Sequence, residues 1–198
     1  MKTYDPELYA RCHELFKYDN GKLIRKISTN RKHKVGSRAG GVNPSHGYRL
    51  VCIDGKHHKE HRIIFFMHHG YMPKYVDHIN RIITDNRIEN LRDANEQQNS
   101  RNMGKQKGRS SEYIGVSLYK RDGKYVANIQ VERKKLIYLG IYVHEKAAAL
   151  ARNFVADAID PNFFNKTEVV DISPEEMLEF ENRKPKLLDI IDKILTSN

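Results

Sequence analysis

The chain has 198 residues, a length that one large domain or two small ones would fill. Hydrophobic residues make up 39% and charged residues 30%, with no tryptophan, and eleven tyrosines and seven phenylalanines supply bulk for modest cores. No apolar run approaches the ~18 residues of a membrane span, which excludes an integral membrane protein, and the start has no apolar leader segment, so classical secretion is not expected. Cys12 and Cys52 are the only cysteines, too few for a disulfide framework or a four-cysteine zinc site, and a reducing cytoplasm is the natural compartment. The net charge is +10 and unevenly spread: Thr167 to Asn198 carries net −4, leaving +14 on residues 1–166. Such a body favours a polyanion, most often nucleic acid, because each neutralised phosphate releases counterions.

In chain order, residues 15–27 read as two short strands around an Asp19-Asn20-Gly21 turn. Gly36 to Gly41 with Pro44 form a basic loop. Residues 48–53 and 58–62 flank a second turn at Asp54-Gly55. HRIIFFMHH (61–69) is too apolar for exposure and predicts a short buried helix ending at Gly70. An extended YVDHI (75–79), a polar loop and a helix from about Asn90 to Asn102 follow. Met103–Ser111, rich in Gly, Ser, Lys and Arg, is the expected linker and domain boundary, with a capacity to track DNA phosphates. Beyond it, alternation through 113–119, 125–131 and 136–142 predicts a three-stranded antiparallel meander, and EKAAALARNFVADAI (145–159) a helix over one of its faces. The tail from Pro174 looks helical, broken at Pro185, with its apolar set at 187–195 packing locally or against a partner.

Phosphodiester hydrolysis needs an activated water, a cation near the leaving oxygen, and ligands for that cation. The stretch YVDHINRIITDNRIENLRDANEQQNSRN (75–102) offers all three. Asp77 and His78 are neighbours on an extended segment, so their side chains point in opposite directions and can take different roles. Asn90 is placed to cap the expected helix and pin the incoming loop. Asn99, nine residues on, falls on the opposite helix face, which suggests a different job.

VDHINR, TDNRIENLR and NEQQN make residues 45–102 resemble the HNH nuclease family, in the phage and intron-encoded homing group where Asn replaces the last His. The resemblance implies an α+β, ββα-metal nuclease domain. His78 would be the general base, Asn90 would hold the finger in shape, and Asp77 and Asn99 would bind one divalent ion, Mg2+ or alternatively Mn2+. It also implies a bacterial or phage-infected host cell. Asn95, one turn before Asn99, is a weaker candidate for a supporting role. His57, His58, His61, His68 and His69 invite a zinc site, but without accompanying cysteines phosphate contacts and core packing are the better reading, and no structural zinc is expected. His61 and Arg62 are weak candidates for assistance at the phosphate.

Residues 112–166 resemble the Apetala/ethylene-response-factor DNA-binding domain, through YIGV (113–116), GKYVANI (123–129), YLGIY (138–142), EKAAALA (145–151) and FFN (163–165). The resemblance implies a sheet that enters the major groove while the helix backs it, and a ribbon of strands fits that groove. By strand parity the free face carries Ser117, Tyr119, Asn128, Gln130 and Tyr138, with Arg121, Lys124, Arg133, Lys134 and Lys135 around the rim. Ser117, Tyr119 and Gln130 stand where the plant family has arginines, so its site preference does not transfer.

The expected organisation is therefore a nuclease domain over 1–102, a linker over 103–111, a three-stranded sheet backed by one helix over 112–166, and an acidic helical tail over 167–198. The expected activity is a metal-dependent HNH DNA endonuclease, nicking or cutting both strands, with double-stranded DNA as partner, no membrane or small-molecule substrate, and a monomer or homodimer. The alternatives are a non-catalytic DNA-binding regulator on the same scaffold and an RNA-binding protein that uses the tyrosine-rich sheet for stacking.

Overall fold

The computed structural model describes residues 3–28, 31, 33–102, 108, 110–132 and 135–196. The chain divides into two compact units, Met1–Glu96 and Gln97–Asn198.

The first unit opens with a helix that the sequence reading did not anticipate, α1 (Pro6–Leu15). Its start signals are present: Asp5 accepts the Leu8 N–H at 2.9 Å, Pro6 occupies the first turn, and Glu7 complements the helix dipole. The hairpin follows as β1 (Phe16–Asp19) and β2 (Lys22–Arg25), with Asn20 and Gly21 both at positive φ (41° and 79°), as a tight two-residue turn requires. β3 (Gly41–Val42), β4 (Arg49–Ile53) and β5 (Lys56–Lys59) form an antiparallel sheet in that order, with the second turn at Asp54-Gly55. α2 (Glu60–His69) starts earlier than expected, so residues 60–62 form its first turn rather than the end of a strand. Ile63, Ile64, Phe65, Phe66 and Met67 are buried with Leu15, Phe16, Leu23, Val51 and Ile53, and Gly70 closes the helix at φ 72°.

β6 (Tyr75–His78) pairs antiparallel with β7 (Leu91–Ala94), which corrects the expected helix from Asn90. Leu91 and Ala94 are three apart, a spacing a helix would also bury, but the ladder to β6 decides between the two. A short 3-10 turn (Ile88–Asn90) precedes β7, and the helix proper is only α3 (Glu96–Arg101).

Most of α3 belongs to the second unit, so the division falls before the expected linker. Gln97 and Arg101 donate to the Val131 carbonyl at 2.9–3.2 Å, Arg101 pairs with Asp160 at 2.9 Å, and Asn165 N–H donates to the Arg101 carbonyl. Of the expected linker, residues 103–107 and 109 lie outside the described residues. β8 (Val116–Tyr119), β9 (Lys124–Glu132) and β10 (Lys135–Tyr142) form an antiparallel meander with β9 in the centre. A bulge at Leu139, between the Tyr138–Asn128 and Gly140–Ala127 pairs, resets the parity, so Leu139 and Tyr142 both reach the core. Gly115 sits at φ 76° with its backbone so close to the Asn128 carbonyl that a Cβ would lie 2.4 Å from that oxygen. No other residue fits there.

α4 (Glu145–Ile159) covers the sheet with Ala147, Ala148, Ala151, Val155 and Ala156, each fully buried, so small side chains let the helix settle close on the strands. The tail is not a broken helix but one continuous element, α5 (Pro174–Thr196), with Pro185 inside it. An internal proline costs a helix roughly 3 kcal/mol. Burial of Phe180 before it and Leu187, Ile191 and Ile194 after it, in the same core as the sheet and α4, opposes that cost. The tail is thus part of the second unit's core, with Leu188 and Leu195 of the apolar set left exposed.

Candidate active site

β6 delivers Asp77 and His78 to opposite sides, as an extended segment must. Asp77 lies opposite Arg92 on β7, whose Nε and Nη2 both donate to Oδ2 at 2.8 Å. His78, 5% exposed, turns toward α2, and its Nε2 lies 2.9 Å from Asn86 Oδ1. The His61 ring stands edge-on to it at 4.8 Å, and Tyr48 packs on His61 at 5.1 Å with the Lys59 ammonium 4.2 Å over the Tyr48 ring. Burial pushes the His78 imidazole below its ordinary pKa, against opposing help from Asn86 and Asp77. Burial together with the neighbouring His78 pushes His61 down to about 3. Both rings are therefore neutral near pH 7, and a neutral imidazole can accept a proton.

The loop after β6 is tied by Asn90. Its Oδ1 accepts the Asn80 N–H, its Nδ2 donates to Asn80 Oδ1 and the Asp85 carbonyl, and its own carbonyl accepts the Ile79 N–H, all at 2.7–2.9 Å. Asn90 is thus a loop pin but not a helix cap, because it ends the 3-10 turn ahead of a strand. The helical phase argument relating it to Asn99 falls with the helix. Asp85, clasped by Arg87 at 2.8 Å and by Asn80, closes the same loop.

Asn99 lies on α3 within the second unit, and its expected role as a ligand rests on the resemblance to the HNH family. Among the described residues no group of three or more His, Cys, Asp or Glu is placed to hold a metal ion. His68 Nδ1 donates to the Ile64 carbonyl, His69 packs on Phe65, and Arg62 donates to the Pro73 and Lys74 carbonyls. Arg62 thereby anchors the entry to β6. A carboxylate and an amide carbonyl, the residue types that the family resemblance assigns to the metal, are of the kind that suits a hard divalent ion. Asp77 is partly neutralised by Arg92, a charge that any ion held there would have to accommodate.

Residues 58–101 match the family described as HNH endonuclease. The match supports an HNH nuclease domain in this part of the chain, and with it a nuclease activity and DNA as substrate in general terms. Neither a curated protein nor a solved structure matches this chain. The HNH segment runs from β5 through α3 and includes every residue of the Asp77–His78 neighbourhood except Tyr48.

Two members of that neighbourhood were not singled out from the sequence. Glu60, the first residue of α2, is fully buried, and Asn86 is 3% exposed. A charged residue directly ahead of the apolar run HRIIFFM was the available signal.

In the second unit the free sheet face carries Ser117 beside Val126, Asn128 beside Tyr138, Gln130 beside Leu136, and Tyr119 beside Lys124. Tyr119, Gln130, Leu136 and Tyr138 are exposed, and Asn128 and Ser117 half-buried. Arg121, Lys124 and Lys135 are exposed at the rim, with Arg121 near Asp122 and Lys135 near Glu132. Arg133 and Lys134 lie outside the described residues.

Proposed function

We infer that the chain is a metal-dependent DNA endonuclease of the HNH homing type, targeted by the sheet face of its second unit. The observation that carries this reading is a buried, neutral His78 beside Asp77 inside a segment that matches HNH endonucleases. His78 accepts a proton from the attacking water, so the hydroxide forms next to the scissile phosphate. Asn90 keeps the following loop folded against β6, and Arg92 holds the Asp77 carboxylate in a fixed orientation. Asp77 and Asn99 would hold a divalent ion, Mg2+ or Mn2+, and when bound such an ion would supply positive charge to offset the negative charge developing on the leaving oxygen. On the sheet, Asn128 and Gln130 offer amides suited to adenine edges, while Arg121, Lys124 and Lys135 suit phosphates.

Cleavage of supercoiled duplex with and without Mg2+ tests the reading. The wild type is expected to cut only with the ion. His78→Ala should slow cutting by roughly 10²–10⁴-fold with DNA affinity nearly unchanged. Asp77→Ala and Asn99→Ala should move the Mg2+ titration to higher concentration. Binding without cutting under every metal condition would instead favour a DNA-binding regulator.

A further inference from the structure

The deepest polar group in the first unit is not part of the expected site. Glu60 is fully buried at the first turn of α2, where the helix dipole favours negative charge. Among the described residues its two oxygens meet donors. Oε1 accepts the Leu23 N–H at 3.2 Å; Oε2 accepts Arg38 Nη2 at 3.0 Å and Asn86 Nδ2 at 2.9 Å, with Arg49 Nε 3.7 Å away.

This arrangement settles which way the Asn86 amide faces. A carboxylate accepts and cannot donate, so the NH2 group of Asn86 must point to Glu60. The carbonyl oxygen of Asn86 then points to His78, where Nε2 lies 2.9 Å away. An oxygen there needs a donor, so the His78 proton sits on Nε2 and the ring lone pair on Nδ1. The Gly21 turn of the β1–β2 hairpin packs against the backbone at Asn86 and Arg87, so closely that a Cβ would lie 2.8 Å from Arg87 N. Asn86 is thereby held from its backbone as well as from its side chain.

We propose that Glu60 and Asn86 are positioning residues that fix the ring orientation and tautomer of His78, committing Nδ1 to accept the proton from water. The proposal rests on the reading of His78 as the base. A buried carboxylate that served only to neutralise Arg38 and Arg49 would leave Asn86 without influence on the chemistry. The relay instead predicts that Asn86 matters to turnover and to the imidazole, and matters little to DNA binding.

The test uses full-length, metal-free protein and long-range 1H–15N spectra of the histidine side chains, with the His78 signals assigned from their loss in His78→Ala. Wild type should show the Nε2–H tautomer with a slowly exchanging Nε2 proton. Asn86→Leu should speed exchange of that proton and mix the tautomers. In cleavage assays it should lower kcat by roughly tenfold to a hundredfold, a part of what a general base contributes, with KM unchanged. Glu60→Gln, which permits the Asn86 amide to flip, should change the same signals in the same direction. A wild-type His78 protonated on Nδ1, or a fast-exchanging Nε2 proton, would overturn the proposal without any variant having to fold. So would an Asn86→Leu protein with unaltered His78 signals or unaltered kcat. Full cleavage by His78→Ala would refute the base assignment itself, and the spectra would still report whether the relay orients the ring.

Discussion

The two units bury different kinds of side chain. The first encloses Glu60, His61, Asp77, His78, Asn86 and Asn90, charged or polar groups packed among Leu, Ile and Phe. The second is filled by alanines of α4, β-branched residues of the sheet and the apolar face of α5, with Arg152 as its one buried charge among the described residues. Buried polar groups cost desolvation energy and repay it only with complete, directional partners. The first unit accepts that cost and gains fixed orientation at His78. The second also buries Asn102, Ser111, Arg152 and Asn165, but the residues of its outward sheet face that carry amides and hydroxyls lie apart from that interior. Interior substitutions should therefore disturb chemistry in one unit and only folding in the other.

Acid exposes the difference most strongly. His61 is held down to about 3 when folded and returns to about 6.5 when unfolded. Between those values the unfolded chain binds the extra proton, so stability is intact above pH 6.5 and falls as pH is lowered toward 3. From His61 the loss amounts to about 4 kcal/mol across that window, and His78, also pushed down by burial, titrates in the same direction. Denaturant melts at pH 7 and pH 4.5 should show a smaller acid loss for His61→Leu than for wild type. Equal losses in the two proteins would mean that His61 is solvated or charged in the folded state.

How much of this was legible in the sequence differs between the units in the same way. The meander and α4 were readable because apolar alternation and a 3.6-residue period report packing directly, and both ends of α4 fall where its period placed them. The continuity of α5 was hidden, since Pro185 signals a break locally and the opposing burial of Phe180 and Leu187 is tertiary. In the first unit Asp77, His78 and Asn90 stood out by spacing, and the turns at Asn20-Gly21 and Asp54-Gly55 by residue type. Leu91 and Ala94 fit helix and strand alike, and only pairing with Tyr75–His78 separates them. The Glu60–Asn86 link was unreadable because it joins residues 26 apart through a hydrogen bond that no periodicity encodes.

Asn90 and Ala151 give a matched pair of interior substitutions. Asn90→Ala removes three side-chain hydrogen bonds and leaves the Asn80 N–H and the Asp85 carbonyl seeking partners, a cost of about 2–3 kcal/mol. Ala151→Leu forces a larger side chain into the fully buried face of α4, at about 1–3 kcal/mol. Both should lower the midpoint of thermal unfolding. At a temperature where each variant is fully folded, Asn90→Ala should also cut DNA more slowly, because the loop that follows His78 has lost its pin. Ala151→Leu should cut at the wild-type rate under saturating DNA. An Ala151→Leu protein as slow as Asn90→Ala would show that the apolar core also governs the chemistry.

The smallest effect is expected on the outer sheet face, where no interior group is involved. Gln130 is exposed opposite Leu136, and its amide can form a paired contact worth about 1–3 kcal/mol of discrimination against a wrong base. Under the proposed reading Lys124 and Lys135, exposed at the rim, would contact phosphates, which carry no sequence information. Gln130→Ala should therefore narrow the gap in affinity between cognate and random duplex by about tenfold, leaving random-duplex affinity and its salt slope unchanged. Lys135→Ala should weaken both duplexes alike and reduce the salt slope by about one, the signature of one lost phosphate contact. Thermal stability should stay within about 0.5 kcal/mol of wild type in both variants, since neither side chain is part of the core. Competition binding at several salt concentrations separates the two patterns. If Gln130→Ala left the cognate preference intact while Lys135→Ala erased it, the sheet would be a phosphate-binding surface and sequence choice would have to reside elsewhere in the chain.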